Sequence, residues 1–254
     1  MKSLLAIDMG NSGLKAAFFD GGVIREKVGA DLEGSLESTG NLIKRFSPDA
    51  VAFCSVIPSW SRDFLSRYGE YGRRRIIRVS SDINLPFPIL VESPETLGAD
   101  RICAAAGARS EGSEVAVIVD IGTAVTVDLL TSEGFMGGAI FPGPAAILDS
   151  LCRTAMALPA VELTEALSGS VNLPGKSTTE AISSGVRWGI SGAVAKLVDL
   201  TLDASESPPD IYLTGGGGEY FRDDLEFAFI HDPDLIFKGL SLIFETAIND
   251  NRLL

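Results

Sequence analysis

Apolar and polar positions repeat one pattern twice along the chain. Residues 4–24, LLAIDMGNSGLKAAFFDGGVI, hold an apolar run of β type, then Asp-x-Gly, a small polar residue and a second apolar run closing on a glycine turn. Residues 117–140, VIVDIGTAVTVDLLTSEGFMGGAI, do the same. Apolar run, tight turn, apolar run predicts a hairpin in each place. Asp8 and Asp120, near the ends of the first runs, stand 112 residues apart in a chain of 254. Self-similarity at half-chain spacing predicts two similar lobes. The polar segment SEGSE at 110–114 is a natural boundary, giving lobes 1–112 and 113–254.

Around these hairpins the pattern alternates between strand and helix, so the fold class is α/β. It predicts helices over 36–46, 61–68, 98–109, 144–156, 178–200 and 239–249. It predicts strands over 50–57, ended by Pro58, over 76–79 and over 211–214. Residues 80–97 carry Pro86, Pro88 and Pro94 and predict loop or edge structure; 203–209 predict a loop. In 178–200, Ile182, Val186, Ile190, Val194 and Leu197 form a stripe at helical spacing. Gly185, Gly189 and Gly192 lie along that helix and predict the close approach of another backbone.

Composition narrows the function. Apolar residues at 46% and charged residues at 22% are globular values. Asp plus Glu outnumber Lys plus Arg by 34 to 21, a net charge of −13. That balance excludes general nucleic-acid binding, which needs clustered cations to neutralise phosphates. It leaves room for one small anionic ligand in a locally positive pocket. Cys54, Cys103 and Cys152 form no disulfide framework and have no zinc spacing. They read as buried small apolar residues in a reducing, cytoplasmic protein. The first apolar run is broken at once by Asp8, so no signal peptide is expected. No apolar run approaches the roughly 18 residues of a membrane span. His231, the single histidine, sits beside Asp232-Pro233 and reads as a surface turn residue, and Arg73-Arg74-Arg75 as a solvated basic turn.

Three glycine turns carry the candidate chemistry. After Asp8 come Met9-Gly10-Asn11-Ser12, a turn that lets backbone N–H groups approach phosphate oxygens. Asn11 and Ser12 add side-chain donors, and Lys15 adds a positive charge. Asp8 repels phosphate, so its expected work is to hold Mg²⁺ or its water. Asp120-Ile121-Gly122-Thr123-Ala124 offers the same chemistry from the second lobe, and Thr214–Gly218 is a third such turn after a strand. Gly98-Ala99-Asp100-Arg101 opens a helix of very small residues. Asp100 lies in its first turn, where the helix dipole favours a carboxylate, and a plain helix start is the competing account. Gly175-Lys176-Ser177 is not a P-loop, because five residues separate Gly169 from Gly175 where four are needed. Nor does the tetraglycine run fit a dinucleotide fingerprint, since Phe221 follows where a glycine is required.

A longer series of motifs runs nearly end to end. It comprises IDMGNS, CSVIPS (54–59), SPETLGADR (93–101), VDIGTAVTVD (119–128), GGAIFPG (137–143), ALP (157–159), GKST (175–178), LTGGGG (213–218) and DPDLIFKGL (232–240). In order and spacing these resemble the type III pantothenate kinase family of the acetate and sugar kinase/actin superfamily. The resemblance implies two ribonuclease-H-like (actin-like ATPase) lobes with ATP in the cleft between them. It implies transfer of the ATP γ-phosphoryl group to pantothenate, giving 4′-phosphopantothenate, the first step of coenzyme A synthesis. Asp8, Met9, Gly10, Asn11, Ser12, Gly13, Leu14 and Lys15 would cradle the ATP phosphates, with Asp8 on the Mg²⁺ side, and Thr123 would contact ATP. Gly98, Ala99, Asp100 and Arg101 would line the pantothenate site, with Asp100 as general base. Asp120 would hold a monovalent cation, K⁺ or NH₄⁺. Thr178 would reach pantothenate across a homodimer interface.

The chain departs from the family pattern on the acceptor side. Val91 stands where a Tyr is usual, Ala104 where an Asn is common, and Ser177 where GKNT has Asn. Two other readings follow: a non-catalytic or altered-acceptor nucleotide-binding relative, and an actin-like polymerising ATPase. Asp100, Arg101 and Thr178 weigh against the first, and the short chain against the second.

Overall fold

The structure, a computed structural model, describes residues 3–69, 75–155, 157–168, 171–205 and 207–249. Arg73, Arg74, Met156, Gly169 and Glu206, on which sequence expectations fall, lie outside the described residues.

In chain order the first elements are β1 (Ser3–Gly10), β2 (Gly13–Asp20), β3 (Val23–Ala30), α1 (Ser35–Phe46), β4 (Ala50–Ser55), α2 (Pro58–Tyr68), β5 (Arg75–Arg78), a 3₁₀ turn (Pro94–Thr96) and α3 (Ala99–Ser110). Next come β6 (Ala116–Ile121), β7 (Ala124–Leu130), β8 (Phe135–Pro142), α4 (Pro144–Thr154), α5 (Leu163–Ser168) and α6 (Thr178–Asp203). The chain continues with β9 (Asp210–Thr214), α7 (Gly218–Phe221), a 3₁₀ turn (Arg222–Asp224), β10 (Ile230–His231) and α8 (Leu235–Asn249). The pattern did not predict β3, β8, α5, α7 or β10. β3 is an edge strand of mixed polarity, VIREKVGA, half-buried at alternate positions. α2 opens earlier than expected, at Pro58, because a proline is tolerated in a helix's first turn, where its missing N–H has no partner anyway.

The sequence echo is a duplication of topology. One sheet has the order β3-β2-β1-β4-β5 and the other β8-β7-β6-β9-β10. In each, the hairpin is antiparallel and its first strand pairs in parallel with a strand reached by crossover, β1 with β4 and β6 with β9. Asp8 lies opposite Lys15 on β2 and Cys54 on β4. Asp120, its counterpart, lies opposite Thr126 on β7 and Thr214 on β9.

The chain divides into two compact units, Met1–Ser113 with Glu133–Phe135 and Asp234–Leu254, and Glu114–Ser132 with Met136–Pro233. The pattern had put the last helix in the second lobe; α8 belongs to the first unit, packed on α3. Glycine allows that packing: a Cβ on Gly107 would overlap the Leu235 carbonyl, and one on Gly239 the Cys103 carbonyl. α8 buries Leu235, Leu240, Ile243, Phe244 and Ala247. Ion pairs of 2.8 Å, Lys238–Glu111 and Lys27–Asp234, secure its first turn and the residue before it.

Side-chain parity sorts the first sheet into two faces. Leu5, Ile7 and Met9 of β1, with Val51 and Phe53 of β4, join α1 and α2 through Leu42, Ile43, Trp60, Phe64 and Tyr68. The opposite parity turns Ala6 and Asp8 of β1, and Ala52 and Cys54 of β4, toward α3 and α8. In the second unit Val117, Val119, Val125 and Val127 pack against Ile182, Val186, Ile190 and Val194 of α6. Gly185, Gly189 and Gly192 have nothing within 4 Å of an added Cβ, so the predicted close backbone approach is not made among the described residues.

Candidate active site

In the first unit Asp8 lies near the end of the central strand, on the face that α3 covers. Burial pushes its carboxyl up to about 6; Lys15 opposes that shift, the Asp100 carboxylate adds to it, and a hydrogen bond from the Cys54 thiol opposes it. Cys54 Sγ donates to Asp8 Oδ1 at 3.5 Å. Two carboxylates, one from a strand and one from a helix start, are therefore near enough for each to feel the other's charge.

Asp100 Oδ1 accepts the Arg101 N–H at 2.9 Å. Gly98 makes room for this, because a Cβ there would overlap the same oxygen. Arg101 lies over the Phe135 ring, its Cζ 5.4 Å from the centroid. At the hairpin tip Gly10 pairs with Gly13, and Asn11 and Ser12 are exposed. Gly13 has φ 132°, and the Ala30 carbonyl stands where its Cβ would be. Lys15 is exposed across from Asp8. Met9 and Leu14 are core residues of the α1–α2 face, so any contact they make with a ligand comes from their main chain. Ala99 begins α3. Val91 is half-buried in the preceding loop, and Ala104 is buried within α3.

Cys54 and Cys103 are buried, as expected of small apolar residues. Their thiols are held above the ordinary range, Cys54 chiefly by a hydrogen bond with Cys103 and then by burial, Cys103 chiefly by burial. Both stay protonated, and Cys54 serves as the donor to Asp8. The sequence reading missed this role of Cys54; the signal lies in its register with Asp8, which needs the β1–β4 pairing to be known.

In the second unit three turns close on Asp120. A Cβ on Gly215, whose φ is 89°, would overlap Asp120 Oδ1, and one on Gly122 would come 3.4 Å from it. Gly217 N donates to the Ile121 carbonyl at 2.7 Å, and Gly143 N to the Thr123 carbonyl at 3.0 Å. Thr123 is exposed at its hairpin tip. His231 is not an open turn residue. It ends β10, with Nδ1 3.7 Å from Glu219 Oε2 and Nε2 3.6 Å from the place of a Gly218 Cβ, beside the third glycine turn.

Thr178 is exposed in the first turn of α6. Ser177 is the N-cap: its Oγ accepts from Glu180 N at 3.1 Å, and Glu180 Oε2 accepts from Lys176 N at 2.6 Å. This resembles a capping box, except that Glu180 reaches the N–H of Lys176, one residue before the cap. Ser and Asn cap about equally well, so Ser177 keeps the local structure that Asn would give.

Both candidate cation sites present hard oxygen donors, which suit Mg²⁺ and K⁺. Among the described residues there is no group of three or more His, Cys, Asp or Glu placed to hold a metal. That fits Mg²⁺, which usually takes one or two carboxylates and fills its shell from phosphate and water. At Asp120 the carboxylate and the Ile121 carbonyl border the cradle that a Gly215 side chain would fill, which fits a monovalent cation.

Two sheets of one topology, each presenting an acidic hairpin and a glycine turn, define the actin-like, ribonuclease-H-like class of fold. MreB5 of Spiroplasma citri, solved bound to ADP, superposes with a TM-score of 0.57 at 13% identity over 99% of this chain and 98% of its own. Sequence comparison narrows the class. The family model described as type III pantothenate kinase matches residues 4–200. The type III pantothenate kinase of Halorhodospira halophila is 34% identical over 247 residues, 93% of this chain and 95% of the relative. That of a Parafrankia strain is 32% identical over 250 residues, 95% and 97% of the two chains. The chain belongs to the type III pantothenate kinase family.

Proposed function

We propose that this protein transfers the γ-phosphoryl group of ATP to the terminal hydroxyl of pantothenate, giving 4′-phosphopantothenate. Within the family, the observation that carries the reading is that Lys15 and Asp100 meet Asp8 on one face of the first sheet, near enough for Asp8 to feel both their charges. Phosphoryl transfer has a loose transition state, so alignment and charge neutralisation do most of the work. Asp100 orients the acceptor hydroxyl in line and accepts its proton late, which a carboxylate can do although it is a weak base. Gly98, Ala99 and Arg101 hold the acceptor. The Asp8–Lys15 hairpin and Thr123 hold ATP, with Lys15 and main-chain N–H groups offsetting phosphate charge.

Asp8 would hold Mg²⁺ and Asp120 K⁺ or NH₄⁺; when bound, these cations neutralise phosphate charge. A homodimer in which Thr178 reaches the partner's acceptor is part of the reading, supported by the exposure of Thr178 and the open glycine face of α6. A cytoplasmic location is supported by the three free cysteines. Among the described residues no helix is long and apolar enough to cross a membrane.

The test is ADP release by the purified protein over a panel of acceptors, in K⁺, NH₄⁺ and Na⁺. Pantothenate should be the preferred acceptor and Na⁺ the poorest cation. Asp100→Asn should lower kcat by about 10²–10⁴ with ATP binding kept, and wild-type turnover in that variant removes Asp100 from the base role. Val91 and Ala104 favour one second reading, a related acceptor, which preference for another compound in the panel would establish.

A further inference from the structure

Glu133–Phe135, between β7 and β8, belongs to the first unit. Main chain fixes this segment on both sides of Ile89. Phe135 N donates to the Pro88 carbonyl at 2.9 Å, and the Phe135 carbonyl accepts from Leu90 N at 2.9 Å, as a parallel bridge. Gly134 permits the approach, with φ 152° and the Pro88 carbonyl standing where its Cβ would be. The Phe135 side chain is fully buried, and Arg101 lies across its ring.

A ring anchored in this way restricts where the guanidinium resting on it can lie. The rotamer freedom of Arg101 is then lost in folding rather than on binding. An arginine so held suits a planar carboxylate, which it can grip through two parallel hydrogen bonds. Pantothenate carries one carboxylate, at the end away from the hydroxyl that is phosphorylated.

We propose that Phe135 is a positioning residue, holding Arg101 for the carboxylate of the acceptor and so setting the preference for an anionic acceptor. This rests on the reading of the chain as a pantothenate kinase with Arg101 in the acceptor site. The test compares kcat/KM for pantothenate and for pantothenol, its uncharged alcohol analogue, at saturating ATP. In Phe135→Leu the preference for pantothenate should fall about five-fold, the worth of a partly desolvated cation–π contact. The loss should lie in KM, with kcat and the KM for ATP changed by less than about two-fold. Phe135→Tyr, which keeps the ring, should stay near wild type. In an Arg101→Leu background Phe135→Leu should cost nothing further, since the cation it holds is gone.

Equal losses on both acceptors, or additive losses in the double variant, overturn the proposal and leave the kinase reading intact. A wild-type protein inert toward both compounds overturns the kinase reading itself. Should Phe135→Leu melt below the assay temperature, Phe135→Met, which also removes the ring, is judged on the same criteria.

Discussion

At the scale of single residues, Asp8 combines a functional position with a cost to folding. Its carboxyl titrates near 6 in the folded protein against 3.8 as the reference value, chiefly because it is buried. Lys15 and the Cys54 thiol relieve this, Asp100 adds to it, and Cys103 is a neutral thiol behind Cys54. The folded state thus binds the Asp8 proton more tightly than the unfolded chain does. Stability from this source is complete below about pH 4, and it is lost as the pH rises through about 6. In metal-free, nucleotide-free protein, Asp8→Asn should match wild type at about pH 4 and exceed it by on the order of 3 kcal/mol at about pH 8. Urea unfolding at the two pH values checks this; parallel pH profiles for the two proteins would show that Asp8 ionises without penalty. Asp8 and Asp120 were legible in the sequence because the duplicated hairpins leave the same residues at the same place in each pattern. Cys54 and Phe135 were not, because their roles depend on partners far along the chain, Asp8 by strand pairing and Arg101 by the insertion of 133–135.

Among elements, the local periodicities named most helices and the hairpin strands, since one buried face leaves a regular trace. β3 and β8 escaped because edge strands bury little. The partner of α8 escaped for another reason. Its apolar faces demand burial, but the pattern does not say against what, and the only signs are Gly107 and Gly239 at the two sides of the contact. Since a Cβ on Gly239 would run into the Cys103 carbonyl, a backbone atom that cannot turn aside, Gly239→Ala should destabilise the protein. The expected loss is about 1–3 kcal/mol despite the better helix propensity of alanine. Denaturant midpoints measure it, and a stabilised variant would mean that α3 and α8 can separate without cost.

For the whole molecule, the −13 charge and the open face of α6 bear on assembly and binding. The charge repels ATP at long range, so the proposed function needs local groups to offset it, the roles proposed for Lys15 and for cations at Asp8 and Asp120. The α6 face is a different matter. Trp188 is 42% exposed and Leu200 50% exposed, beside three glycines with open space above them. A second copy seated there would cover both, and the protein should then run in solution at about twice its 26.8 kDa. Gly189→Glu separates this from any effect on the fold. A Cβ added at Gly189 meets nothing within 4 Å among the described residues, and glutamate forms helix better than glycine, so the monomer should fold normally. In a dimer packed on this face the same change inserts bulk and charge between two backbones. The variant should therefore be monomeric by light scattering. It should keep ATP binding, and it should lose pantothenate phosphorylation if Thr178 serves the partner's site. A dimeric Gly189→Glu protein would remove this face from the assembly, and a monomeric one with full activity would return Thr178 to its own subunit.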